Sequence, residues 1–272
     1  MSFTTINGCS YYYEIFGNNN GRETIVFSHG LLWSSKMFWK QVEYFKNYYR
    51  IVVYDHRGQG KTAVTDDGYD MEQLTQDVTH LIEELKLEKI HFAGLSMGGF
   101  VGMRLAARRP DLLQSLILME TSAQKETKKF KYSILTTVVN LLGVRAVTGP
   151  VMNIMFGENF LEDKKRAEEK KKWKEELWKN KKTIVRAVKG ILNRNGIESE
   201  LKNIKCPVLI LEGTQDKAAT PAMAEFIHNN IAHSEIHFIE GGGHTSSIEE
   251  AEQVNYFIDR FLKSIRSLET RA

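Results

Sequence analysis

The sequence has no long apolar run, no leader-like start and almost no cysteine. No uninterrupted apolar stretch approaches the roughly 18 residues of a membrane span, so no stable membrane insertion is expected. The first residues lack a basic region followed by an apolar one, so we expect no secretory signal and a cytoplasmic protein. Cys9 and Cys206 have no CxxC spacing, which favours two reduced thiols over a disulfide.

Spacings typical of cofactor sites are also missing. No cluster of His, Cys and Asp has the spacing of metal ligands, so no metal is expected. The turn "DHRGQG" has neither the GxGxxG nor the GxxxxGK[ST] spacing of a phosphate-binding loop. The sequence therefore predicts a protein without a cofactor.

The excess of basic over acidic residues lies in one segment. Residues 163–189 hold 12 Lys or Arg and 5 Asp or Glu, whereas the rest of the chain has 25 basic and 29 acidic residues. A basic excess confined in this way does not indicate a nucleic-acid-binding protein. Apolar residues in this region, from Trp173 to Ile191, recur at helical spacing and predict an amphipathic helix with a solvated Lys-rich side. Binding of this face to a membrane surface or an acidic partner remains the alternative.

Short apolar runs alternate with longer helical patterns along the chain. Strands are predicted at 23–29, 49–55, 89–94, 115–120, 206–213 and 234–241, and helices at 36–47, 71–86, 98–109, 221–231 and 249–266. Strands that are apolar on both faces and alternate with helices indicate an α/β fold, with a mostly parallel sheet covered by helices on both faces. The alternation stops between 122 and 200. We therefore expect an α/β core of residues 1–121 and 201–272, with residues 122–200 as a helical cap over the ligand-binding edge.

The stretch "GLSMG" places a serine between a predicted strand and a predicted helix. A strand that turns into a helix within two residues forces Ser96 outward in a strained conformation, and Gly94 and Gly98 leave the room for this turn. Such strain persists mainly where function uses it. A simple Gly-Ser turn is the alternative, but the context favours Ser96 as a nucleophile.

A serine nucleophile needs a base and an orienting acid. Of the eight histidines, His244 is the one in a Gly-rich loop after the last strand, and it is the predicted base. Asp216 follows the strand at 206–213 and is the predicted acid. Glu120, at the end of another strand, is the alternative acid.

Attack on a carbonyl creates an oxyanion that backbone N–H groups must stabilise. Met97 directly follows the nucleophile and should supply one N–H. The second should come from the loop "SHGLLW", where Leu31 is the predicted donor.

Together these motifs resemble those of the α/β-hydrolase superfamily. The matching motifs, in order, are "HG" at 29–30, "DHRGQGKT" at 55–62, "GLSMGG" at 94–99, "GTQD" at 213–216 and "GGGH" at 241–244. The chain is most similar to small carboxylesterases, 3-oxoadipate enol-lactonases and bacterial cofactor-free haloperoxidases. The resemblance implies that Ser96, Asp216 and His244 form a catalytic triad, with Leu31 and Met97 as the oxyanion hole.

The resemblance further implies hydrolysis of a small carboxylic ester or lactone through an acyl-enzyme. Other triad chemistry on the same fold (a perhydrolase, a carbon–carbon bond hydrolase or a lyase) and a ligand-sensing role of the RsbQ type remain alternatives. Five large apolar residues of the 122–200 segment could line an acyl pocket or pack against the core: Met152, Met155, Phe156, Trp173 and Trp178. The sequence does not indicate an oligomeric state.

Overall fold

Eight strands form one sheet in the computed structural model of the protein, which describes residues 2–17, 23–127 and 129–269. The strands are β1 (Ser2–Ile6), β2 (Cys9–Phe16), β3 (Thr24–Ser28), β4 (Arg50–Tyr54), β5 (Ile90–Leu95), β6 (Leu113–Met119), β7 (Val208–Gly213) and β8 (Ser234–Ile239). Their order is β1-β2-β4-β3-β5-β6-β7-β8. The pairs β1–β2 and β2–β4 are antiparallel and the other five are parallel, which confirms the predicted mostly parallel sheet.

Helices connect the parallel strands and follow the last one. They are α1 (Trp39–Phe45), α2 (Met71–Glu84), α3 (Met97–Arg108), α4 (Lys129–Leu142), α5 (Thr148–Met155), α6 (Glu158–Glu162), α7 (Ala167–Trp178), α8 (Ile184–Leu192), α9 (Pro221–Asn230), α10 (Ser246–Glu249) and α11 (Ala251–Glu269). Short 3₁₀ segments cover Ser35–Phe38, Val144–Val147, Lys164–Arg166 and Glu198–Asn203. In the described part of the chain, no helix combines the length and the apolar composition needed to cross a bilayer.

Alternate residues of the parallel strands enter two separate hydrophobic clusters. In β6, Leu116 and Leu118 pack in the cluster that includes α2, α3 and α9, while Ile117 and Met119 pack in the cluster that includes α1 and α11. Successive side chains of a strand point to opposite faces, so each apolar strand contributes to both clusters. Helices therefore cover both faces of the sheet, as the sequence predicts.

The sequence analysis missed the hairpin at the edge of the sheet. Strands β1 and β2 are joined by Asn7 and Gly8, whose φ angles are 46° and 73°. Both residues lie in the left-handed region, which two-residue hairpin turns require and which an Asn-Gly pair adopts readily. The Asn-Gly pair between two runs rich in β-branched and aromatic residues was the available signal.

The described residues between β6 and β7, 120–127 and 129–207, contain helices α4 to α8 and no strand. The prediction of one Lys-rich amphipathic helix is wrong, because residues 179–183 separate α7 from α8. Asn180 explains the break. Its side-chain amide donates to the carbonyl of Leu177 at 3.0 Å and to that of Leu32 at 2.8 Å, which ends α7 and ties the turn to the loop after β3. The predicted helix at 249–266 is confirmed as α11, which begins at Ala251 after the short helix α10.

A buried ion pair joins the hairpin, the loop after β4 and α2. Asp77 is fully buried and accepts two hydrogen bonds from the Arg57 guanidinium, at 2.9 and 3.0 Å. It also accepts from Tyr11 Oη at 2.5 Å, Asn7 Nδ2 at 2.8 Å and Gln73 Nε2 at 3.0 Å. Such a charge is tolerated in the interior because its partners satisfy it.

Removing Asp77 should therefore be costly. We expect Asp77→Ala to lower the free energy of unfolding by roughly 3–5 kcal/mol, since the Arg57 charge would remain buried without its partner. The control is Lys46→Ala, which removes the half-exposed pair with Glu43 and should cost less than about 1 kcal/mol. Urea denaturation followed by circular dichroism measures the free energy of unfolding of both variants. Equal losses would contradict the role of Asp77 as the partner of the buried Arg57 charge.

Candidate active site

Ser96 joins β5 to α3 with no intervening residue. Its φ and ψ angles are 53° and −109°, a conformation rarely adopted by residues other than glycine. The turn is possible because α3 packs directly against the strands. A Cβ on Gly98 would lie 2.0 Å from the carbonyl oxygen of Ser28, and one on Gly94 would lie 2.3 Å from the carbonyl oxygen of Gly98. Any larger residue at these two positions would push the helix away from the sheet.

The backbone of Ser96 is held on both sides. Its N–H donates to the carbonyl of Met119 at 2.9 Å. Its carbonyl accepts from the Thr121 hydroxyl at 2.9 Å and from the Phe100 N–H at 3.0 Å. The hydroxyl of Ser96 is thereby fixed at the carboxyl edge of the parallel sheet.

The structure brings the three predicted side chains of the triad together. The Ser96 Oγ atom lies 2.9 Å from His244 Nε2, and His244 Nδ1 lies 2.7 Å from Asp216 Oδ2. Asp216 follows β7 and His244 follows β8, and both are buried. The second carboxylate oxygen of Asp216 accepts from the N–H groups of Ala218 and Ala219, at 2.6 and 3.1 Å.

These bonds define a direction for proton transfer. A carboxylate only accepts hydrogen bonds, so its bond with His244 requires a proton on Nδ1. The neutral imidazole then has its lone pair on Nε2, facing the Ser96 hydroxyl. This arrangement allows His244 to receive the hydroxyl proton when the oxygen attacks.

The predicted oxyanion donors flank Ser96. Met97 is the first residue of α3, and an N–H at that position has no partner within its own helix. On the other side, the loop after β3 approaches the serine: a Cβ on Gly30 would lie 3.5 Å from the Cβ of Ser96. Among the described residues, no hydrogen bond is donated by the N–H of Leu31. Both N–H groups are therefore available to a negative oxygen.

Two buried histidines support the loop after β3. The Nδ1 atom of His29 bonds the Gly30 carbonyl at 2.7 Å, and its Nε2 accepts from the backbone N–H of His56 at 2.9 Å. Burial lowers the pKa of His29 and holds the pKa of His56 well below its usual range. Both rings are thus neutral at physiological pH and act as fixed hydrogen-bonding groups.

Glu120, the alternative acid, does not bond His244 in the described structure. Its Oε1 atom accepts from the Ser246 hydroxyl at 2.5 Å. Burial raises the pKa of Glu120 well above its usual range, and the neighbouring carboxylates of Asp216 and Glu249 raise it further. Asp216 occupies the position beside His244 instead.

Glu212 is a buried carboxyl that the sequence analysis did not identify as part of this region. It lies in β7, and neither of its oxygens has a hydrogen-bond partner in the described part of the chain. Burial raises its pKa well above the usual range, and the charges of Asp216 and Glu120 act in the same direction. A charged residue inside the otherwise apolar run "VLILEG" was the available signal.

The large apolar residues of the 122–200 segment pack against the core. The ring of Phe156 lies 5.8 Å from that of Trp33, and the ring of Trp173 lies 5.5 Å from it. Met152 belongs to the same buried cluster, with Met155 packed against it. These contacts favour packing over an open acyl pocket.

Trp178 is held by a polar contact. Its indole N–H donates to the Thr148 hydroxyl at 2.8 Å.

Among residues 2–17, 23–127 and 129–269, no three His, Cys, Asp or Glu side chains are arranged to hold a metal ion.

Comparison with known proteins gives one consistent result. A profile of the family described as the alpha/beta hydrolase fold matches residues 23–251. The chain is 27% identical over 251 residues to 3-oxoadipate enol-lactonase 2 of Acinetobacter baylyi, covering 92% of each chain. It is 31% identical over 246 residues to the AB hydrolase superfamily protein YisY of Bacillus subtilis, covering 88% of this chain and 91% of that one. The solved structure of the enol-lactonase from Burkholderia xenovorans LB400 is 28% identical and matches with a TM-score of 0.90, over 96% of this chain and 100% of that one.

The raised pKa of Glu212 predicts a pH-dependent stability. The folded chain keeps a proton on Glu212 that the unfolded chain releases above about pH 4.3. The resulting stabilisation is complete below that pH and is lost as pH rises through the raised folded pKa. Glu212→Gln, which is always neutral, should therefore become more stable relative to the parent as pH rises above about 4.5, by at most about 1.4 kcal/mol per pH unit, until the pH passes the raised folded pKa of Glu212.

Thermal and urea unfolding of both proteins at matched pH measure this difference. Comparing the two proteins removes the opposite contribution of buried histidines such as His29 and His56. The control is Glu252→Gln, on the exposed surface of α11, which should change the free energy of unfolding by less than about 0.5 kcal/mol. A difference between Glu212→Gln and the parent that does not change with pH would contradict the raised pKa of Glu212.

Proposed function

The chain belongs to the α/β hydrolase fold family, and on that premise we propose that it cleaves a small carboxylic ester or lactone through an acyl-enzyme formed on Ser96. The relatives named as enol-lactonases support hydrolysis of an ester bond as the reaction class. The observation that carries the proposal is the continuous chain of hydrogen bonds from Ser96 through His244 to Asp216.

In the first half of the reaction, His244 accepts the hydroxyl proton while Ser96 Oγ attacks the substrate carbonyl carbon. Asp216 keeps the imidazole in the required tautomer and stabilises its protonated form. The N–H groups of Leu31 and Met97 bind the negative oxygen of the tetrahedral intermediate. The intermediate collapses as protonated His244 gives its proton to the departing alcohol oxygen, which leaves an acyl-serine.

In the second half, a water molecule replaces the alcohol. His244 removes a proton from this water, which attacks the acyl carbon and forms a second tetrahedral intermediate at the same two N–H groups. The proton then returns to Ser96 Oγ as the carboxylic acid leaves. With a lactone, the alcohol and the acid are parts of one ring-opened product.

We assign residues 122–200 as a cap over this site. The support is that both loops of the site contact the segment. The hydroxyl of Thr245, next to His244, lies 3.0 Å from the Met155 carbonyl. The side chain of Gln215, next to Asp216, exchanges hydrogen bonds with Asn159 at 3.0 Å. A segment in this position restricts what reaches Ser96 and selects the substrate.

Substitutions of the three side chains test the mechanism. We expect Ser96→Ala to lower kcat on a p-nitrophenyl ester by at least about 10⁴-fold, because it removes the attacking atom. Asp216→Asn should lower kcat by about 10³–10⁴-fold, because it favours the wrong tautomer of His244. The matched control is Glu120→Gln, a neighbouring buried carboxyl that should stay within a few-fold of the parent.

A panel of esters and lactones of increasing acyl size, assayed with the parent and Ser96→Ala, measures these effects. Full activity of Ser96→Ala would contradict the nucleophile assignment. A large loss in Glu120→Gln with little loss in Asp216→Asn would exchange the roles of the two acids.

A further inference from the structure

One buried carboxylate beside the site has no part in the reaction described above. Glu249 is the last residue of α10, the short helix that follows the His244 loop, and it is 4% exposed. Within the described structure, its side chain makes no hydrogen bond to the side chains of Ser96, His244 or Asp216. Its partners are instead the backbone groups that hold the histidine.

Four donors converge on the two oxygens of Glu249. Its Oε2 accepts from the N–H of Gly157 at 2.7 Å. Its Oε1 accepts from the N–H of Thr245 at 3.2 Å and from the Thr245 hydroxyl at 2.9 Å. The N–H of Gly243 lies 3.2 Å from both oxygens. The donors thus belong to the residue before His244, to the residue after it and to the 122–200 segment.

We propose that Glu249 is a positioning residue, which fixes the backbone on both sides of His244 so that the imidazole stays within hydrogen-bond distance of Ser96, and which joins that loop to the 122–200 segment at Gly157. The inference rests on the proposed function, since it assigns Glu249 a role in the reaction of Ser96.

The close backbone packing explains why a carboxylate is needed. A Cβ on Gly243 would lie 2.2 Å from the nitrogen of Gly157, so the two backbones are in direct contact. Their buried N–H groups need an acceptor, because an unpaired buried donor is costly. A carboxylate offers two oxygens and about four lone-pair directions, which suits donors that arrive from three residues. Glutamine has the same shape but presents an NH₂ group to some of these donors.

The charge state of Glu249 decides the assay conditions. Burial raises the pKa of Glu249 to about 7, although the hydrogen bonds from Gly157, Thr245 and Gly243 act in the opposite direction. The titratable Glu120 carboxyl interacts with the Glu249 carboxylate, and the Arg166 guanidinium donates to the backbone carbonyl of Glu249 at 2.9 Å. Assays at pH 8.5 keep Glu249 ionised in the parent protein.

The first test is Glu249→Gln in the 272-residue chain. We expect kcat to fall about 10–10²-fold with KM changed less than about 3-fold, because the substrate still binds while the base is displaced from Ser96. The matched control is Glu250→Gln. Glu250 is the next residue, and its carboxylate bonds Gln253 at 3.3 Å and lies 3.8 Å from Arg166, so its replacement should leave kcat unchanged.

The second test does not depend on Glu249 itself. Thr245→Val keeps the side-chain shape and removes the hydroxyl donor, and should lower kcat by a smaller factor of about 3–10. In both variants, the low-field proton resonance of His244 Nδ1, identified by its loss in Asp216→Asn, should broaden or shift. A role in folding alone would leave this resonance and kcat of the folded fraction unchanged.

The outcomes separate this inference from the proposed function. If Ser96→Ala is inactive but folded Glu249→Gln keeps the parent kcat and the parent resonance, the positioning role is overturned and the proposed function stands. If Ser96→Ala is fully active, the proposed function is overturned, and the role of Glu249 is overturned with it. If Glu249→Gln does not fold, the Thr245→Val result decides, and a parent-like kcat there overturns the inference.

Discussion

The site depends on one steric constraint, the close approach of α3 to the sheet at Gly98. There the helix backbone approaches the Ser28 carbonyl so closely that no side chain fits, and the helix can begin directly after β5. Ser96 takes up the sharp change of direction with a positive φ, and its hydroxyl is carried to the carboxyl edge of the sheet. The same geometry leaves the N–H of Met97 without a helical partner beside the Ser96 hydroxyl. The strained turn, the position of the hydroxyl and the orientation of this N–H thus have one structural origin.

The other parts of the site are held by side chains outside the hydrogen-bonded chain of Ser96, His244 and Asp216. His29 and His56 bond the loop that carries Leu31, while the carboxylate of Glu249 bonds both residues that flank His244. Buried carboxyls collect around Asp216, where Glu120 and Glu212 have raised pKa values because burial disfavours their charge. Retaining such groups in an apolar interior lowers stability at neutral pH. This loss of stability is typical of a region in which the positions of polar groups matter more than apolar packing.

The strands that are buried on both faces could be predicted from sequence, because a short apolar run such as "VLILEG" between turn residues is typical of them. The meeting of Ser96, Asp216 and His244 could be predicted because each follows a parallel strand, and parallel strands end at one edge of the sheet. The strands before Ser96 and Asp216 are buried throughout, whereas the strand before His244 is partly exposed. The hairpin was missed because its half-exposed strands have no continuous apolar run, and the break after α7 was missed because Asn180 bonds a carbonyl nearly 150 residues away in sequence. Glu249 could not be found from its neighbours in sequence, since its partner Gly157 is brought to it only by the fold.

The most direct measurement of the central claim is covalent capture of the nucleophile. A fluorophosphonate reacts with a serine only where a base activates the hydroxyl and N–H groups receive the phosphoryl oxygen, so it reports the assembled site without knowledge of the substrate. Intact-mass spectrometry followed by peptide mapping should show one adduct per chain, located on Ser96. An unmodified chain at high reagent concentration, or an adduct on another residue, would contradict the account.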